Sequence, residues 1–181
     1  MRLTGSAESA SPDQKGEYLF EVSMSQRAIP IEHVTMRSSK DFIEVRVSLE
    51  RSVPRLDDHI MQLIASGDAD QLKQKLEEGP ELAIFLFRDH GSLLRIAGPA
   101  RRAVQYEIGN PLTASKMTRH KLAAGLYAPL RVILYDDEAG GSVFEYDKPS
   151  SLFGQWGDAG VSAVALGLDS ALERALQHAM R

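Results

Sequence analysis

The sequence predicts an α+β protein: a single, mainly antiparallel β-sheet with helices packed on one face. Three observations predict it. Several short apolar segments alternate or run continuously as strands do, and Ala139-Gly140-Gly141 joins two of them as a hairpin. The C-terminal stretch places Val161, Val164, Leu168, Leu172, Leu176 and Ala179 on one helical stripe, weakened locally by Gly167. With 181 residues and 43% hydrophobic content, the chain can build one core without an oligomeric staple.

In chain order, residues 1–16 are rich in Ser, Ala, Asp and Glu with few large apolar groups to offset the entropy of ordering. They read as a disordered leader, followed by one α+β domain over 17–181. Asp41 to Leu49 alternates charged Glu44 and Arg46 with Ile43, Val45 and Val47, the period of a half-buried first strand. Leu56, Ile60, Leu63 and Ile64 fall at helical spacing behind Asp57 and Asp58. Ser66-Gly67-Asp68 breaks that helix, and Asp68 caps a second one carrying Leu72 and Leu76, which Gly79-Pro80 ends. Leu82 to Phe87 is a continuous apolar run, as expected of a central strand covered on both faces. A turn at Asp89-His90-Gly91 leads into a strand-like Ser92 to Ala97. Ala103 to Ile108, Leu130 to Tyr135 and Ser142 to Tyr146 complete about six strands, and the C-terminal helix covers about 161–180.

Composition excludes several functions. A net charge of −4, from 21 basic and 25 acidic residues mixed along the chain, creates no broad positive field for nucleic acid or for an anionic membrane surface. With no cysteine there is no disulfide, no thiolate nucleophile and no Cys-containing metal site. No apolar run is long enough to span a bilayer, and the first residues lack the apolar core of a secretory signal, so membrane insertion is not expected and a cytoplasmic location is. His33, His59, His90, His120 and His178 show no spacing that aims two imidazoles at one metal, and no phosphate-cradling glycine motif or nucleophile elbow occurs. Neither a metal nor a cofactor is expected.

Gly109-Asn110-Pro111, leaving one strand and opening a helix, is similar to the signature of the family known as domain of unknown function 302. Ala128-Pro129-Leu130 to Tyr135 with its acidic turn Asp136-Asp137-Glu138, and Phe144 to Pro149 in the following strand, match in order and spacing; Asp89-His90 adds support. The resemblance covers about 42–155 and departs between His90 and Val104, where members often carry an Ala-rich helix. It implies a compact α+β fold with an antiparallel sheet, and carries no activity, substrate or cofactor to transfer.

Asn110 suits an N-cap and Pro111 the first helical position, which would leave the amides of Leu112, Thr113 and Ala114 free. Lys116, Arg119 and His120, at i, i+3 and i+4, would share a face beside that positively polarised terminus, an anion-binding arrangement in outline. The competing reading is a tight turn with solvated basic residues. A two-residue hairpin loop would put Arg131, Ile133 and Tyr135 on one face with Phe144 and Tyr146, either as pocket floor or as ordinary sheet packing. The function expected is a non-enzymatic module binding a small anionic or amphiphilic ligand through Asn110, Lys116, Arg119, His120, Arg131 and Tyr146. The alternatives are an enzyme with His120 or His90 as general base at the junction, and an interaction protein that forms a homodimer.

Overall fold

The structure, a computed structural model, describes residues 22–181; the leader expected over 1–16 lies outside them. Five strands form one antiparallel sheet in the order β1-β5-β4-β3-β2: β1 His33–Ser38, β2 Ala83–Asp89, β3 Ala103–Gly109, β4 Leu130–Asp136 and β5 Ser142–Asp147. One face carries Val104, Tyr106, Ile108, Leu130, Val132, Leu134, Phe144 and Tyr146, all buried under helices. The largest contributors to that cover are α1 (Phe42–Ser52) and α7 (Ala159–Met180), which pack on each other and supply Phe42, Val45, Leu49, Val161, Leu168, Leu172 and Leu176 to the core. This is the α+β arrangement the strand and helix patterns predict.

Two expected strands are helical. Residues 42–49 lie in α1 behind its cap Asp41, because the side chains that reach the core are Phe42, Val45 and Leu49, a 3.6-residue period, while Ile43 and Val47 stay about half exposed at 49% and 47%. Asp41 starts the helix by accepting from Ile43 N at 2.7 Å. Residues 92–97 are likewise not a strand: α4 (His90–Leu93) runs into a 3-10 turn, Leu94–Ile96, after Asp89 caps it by accepting from the Ser92 amide (2.9 Å) and hydroxyl (2.6 Å). The first strand is instead His33–Ser38, whose Val34 and Met36 pack on the core between exposed His33, Thr35 and Arg37.

The run Leu82–Phe87 belongs to an edge strand rather than a central one. Its buried half, Ala83 and Ile84, is covered by the segment before α2 (Asp58–Ser66): Ile84 N donates to Pro54 O at 2.8 Å and Leu56 N donates to Ile84 O at 2.9 Å. A bulge between Ile84 and Leu86 leaves Phe85 outside the pairing and bends the strand, so the edge is doubly protected. The helix after α2, α3 (Ala69–Glu77), is capped by Asp68 as expected.

Candidate functional site

The junction at Gly109-Asn110-Pro111 begins where β3 ends and α5 (Pro111–Thr118) begins. Asn110 is its N-cap: the side-chain oxygen accepts from Leu112 N (2.9 Å) and Thr113 N (3.2 Å), and its side-chain nitrogen donates to Pro80 O (3.1 Å). Ala114 N donates to the Asn110 carbonyl at 2.9 Å. All three amides expected to be free are thus engaged, and the helix start offers no unpaired donor to an anion.

The three basic residues also stand elsewhere. Lys116 lies in the last turn of α5, Arg119 is its C-cap residue and His120 follows it, so they flank the negative end of the short helix dipole, not the positive one. His120 turns onto the start of α7: a Cβ at Gly160 would come within 2.8 Å of its Nε2, which accepts from Arg119 Nε at 3.2 Å. The sheet-side pair is separated as well. Cross-strand partners are Val132 with Tyr146 and Leu134 with Phe144, so Tyr146 and Phe144 point to the helices. Arg131, Ile133 and Tyr135 lie on the opposite, open face with Glu145. The loop between β4 and β5 spans residues 137–141, not two residues, and a shift of one position in register exchanges the faces. Burial pushes the Tyr146 hydroxyl pKa above its ordinary value.

What the junction does form is a cavity of about 320 Å³. Its walls come from β3 and β4 (Ile108, Leu130), α5 (Ala114, Met117), Phe153 of α6 (Pro149–Phe153) and Leu168 of α7. Phe85, displaced by the bulge, and the Ala128-Pro129 segment close the sheet end. Polar side chains among the lining residues are few: Asn110, Thr113, Ser115 and Thr118. Ser115 and Thr118 donate back to the carbonyls of Leu112 and Ala114, and part-buried Thr113 lies between this cavity and the surface groove it shares with Lys116. No wall residue has an ionisable side chain. Of the six site residues expected from sequence, only Asn110 touches this space. Residues such as Ala114, Thr113 and Met117 escaped notice because nothing in their types distinguishes a cavity wall from a core contact.

A wider hollow of about 470 Å³ lies on the open sheet face between Arg37, Arg101, Arg102 and the acidic turn. Its charges are already paired: Arg37 with Asp137, Arg101 with Glu138 at 2.9 Å, and Arg102 with both Asp41 and Asp136. The Arg102 guanidinium holds the Asp41 carboxyl below its ordinary range. His90 is remote from the junction, since β2 runs from Ala83, beside Gly109, to Asp89, beside Val104. Among the described residues no group of three His, Asp or Glu could hold a metal, and no helix is long and apolar enough to cross a membrane.

These features define a class: an α+β protein whose five-stranded antiparallel sheet carries helices on one face and a small apolar cavity at the β3–α5 junction. The chain belongs to the family described as domain of unknown function DUF302, whose profile matches residues 68–179. A crystal structure of an uncharacterised conserved DUF302 protein from Bacillus stearothermophilus is similar in fold, with a TM-score of 0.60 at 20% identity, over 82% of this chain and 98% of that one. No curated protein matches.

Proposed function

We propose that this protein is a small-ligand binding module whose ligand is amphiphilic, with an apolar body in the cavity beneath α5. The observation that carries this reading is the pairing of apolar walls with a fully satisfied helix cap. A cavity of about 320 Å³ is at the lower end of ligand-sized pockets, and walls of Ile, Leu, Met, Phe and Ala reward apolar burial. Engaged amides and the absence of ionisable wall residues disfavour an anion inside it. Thr113, one of the few polar residues of the wall, suits one polar atom of the ligand. Of the two ligand chemistries expected from sequence, the amphiphilic one is therefore favoured. Lys116 and Arg119 can meet only a headgroup outside the cavity.

Calorimetric titration of a series of straight-chain alcohols, the matching carboxylates and inorganic phosphate tests this. Affinity should rise with chain length by up to about 0.8 kcal/mol per methylene until the cavity is full. Phosphate should not bind, and Ala114→Phe or Thr118→Met, which add bulk to the wall, should remove alkyl binding. Affinity independent of chain length in the unsubstituted protein would overturn the reading without recourse to any variant.

A further inference from the structure

Charge is unevenly distributed along this chain. The whole carries −4, yet from Ile108 to Tyr135 there are Lys116, Arg119, Lys121 and Arg131 and no acidic residue. Lys116, Arg119 and Lys121 are all exposed, and among the described residues none of them enters an ion pair. Glu81, which shares a surface groove with Lys116, is held by Arg174 at 2.9 Å. The end of α5 is thus a local positive site that the net charge conceals.

The next residues are apolar and just as exposed. Leu122 and Leu126, on the 3-10 segment Leu122–Tyr127, are 86% and 77% exposed. The segment itself is firmly seated: Ala124 is fully buried, and Tyr127 meets Phe153 edge-on with ring centroids 6.3 Å apart. Two leucines held in water on an anchored turn, beside three unpaired cations, are the composition of an interfacial membrane contact, in which cations meet anionic headgroups and apolar side chains enter the acyl boundary. A nucleic acid would use the cations and leave the leucines idle.

We propose that the surface from Lys116 to Leu126 docks this protein on an anionic lipid bilayer, with Lys116, Arg119 and Lys121 on the headgroups and Leu122 and Leu126 in the headgroup–acyl boundary. The proposal does not depend on the cavity holding a ligand. The stretch between Thr118 and Ala128, two residues of the cavity wall, carries Arg119, Lys121, Leu122 and Leu126.

Co-sedimentation of the full chain with phosphatidylcholine vesicles, with and without about 30% phosphatidylglycerol, tests it. Binding to the anionic vesicles should weaken with added salt. Replacing Lys116, Arg119 and Lys121 with Gln should weaken it roughly hundredfold, at about 1 kcal/mol per cation near the surface. Leu122→Ser with Leu126→Ser should weaken it by about tenfold or more. The same charge removed elsewhere, at Arg51, Lys73 and Arg95, should have little effect. Ala114→Phe should dock unchanged while losing alkyl ligands, which separates this proposal from the cavity reading. No binding to anionic vesicles at low salt overturns the proposal. So does a leucine variant that docks as well as the parent, and poly(U) binding with the same dependence on the three cations would then identify the site as a polyanion contact.

Discussion

Asn110 works at three points, closing two amides of α5, tying the junction to Pro80, and standing between the cavity and the loop after α3. Asn110→Ala should therefore cost about 1–2 kcal/mol in urea melts, the upper range for a cap. Asn110→Asp keeps the acceptor and loses the donor to Pro80, so it should recover most of that loss; equal losses for the two substitutions would place the energy in the Pro80 contact. His33 gives a residue-scale prediction in pH. Its Nδ1 lies 2.9 Å from Asp147 and its Nε2 3.5 Å from Glu145, and the Asp147 hydrogen bond, followed by Glu145, raises its pKa above the usual 6.5. A raised folded pKa means the contribution is fully present below about pH 6.5 and is lost as pH rises through the folded value. The imidazole is half exposed, so solvent screening keeps it below about 1 kcal/mol. His33→Gln should lower the urea midpoint at about pH 5.5 and leave it unchanged at about pH 9; a gap that widens with pH would contradict the assignment.

At the scale of elements, α1 shows how a helix can read as a strand. The segment Ile43-Glu44-Val45-Arg46-Val47 alternates in polarity and is rich in β-branched residues, but the wider spacing Phe42, Val45, Leu49 and the cap at Asp41 carry the helical period. The two patterns predict opposite mutational outcomes. Leu49→Ala should cost about 2–5 kcal/mol and Val47→Ala at most about 0.5 kcal/mol; comparable losses would indicate that both face the core. β1 was missed although Val34 and Met36 alternate with polar neighbours, because the longer alternation at 41–49 took its place as first strand, whereas the caps at Asp68 and Asn110 follow from residue type alone. The hairpin register was not legible, because residue type does not reveal a five-residue loop. Gly141 sits at φ +92°, and a Cβ there would run into the Ser38 carbonyl oxygen of β1, so the loop is fixed from outside the hairpin. Gly141→Ala should destabilise by at least about 1 kcal/mol in thermal or urea unfolding, and a neutral result would show that β1 can move aside.

At the scale of the molecule, the core and the cavity belong to the same side of the sheet. Tyr106 lies at the centre of that side, packing on Phe87 and donating to Glu50 Oε1 at 2.9 Å, and burial together with that carboxylate pushes its hydroxyl pKa up. Arg46, 2.9 Å from Glu50, and Arg55, stacked 4.6 Å over the Phe87 ring, flank this pair of rings. Beneath α5 the same side of the sheet is left open as the apolar cavity. The sequence pattern that located the junction could not show this, because a cavity results from several elements failing to meet, and none of Ile108, Ala114, Met117, Phe153 or Leu168 marks it alone. The central claim is that a ligand's apolar body occupies this space. Methyl-resolved NMR during titration with a medium-chain alcohol tests it most directly. Met117, Ile108, Leu130 and Leu168 should shift together and saturably, while Val34 and Ile60 remain still. Unmoved wall methyls, or shifts confined to the open face at Ile133 and Val143, would contradict the account.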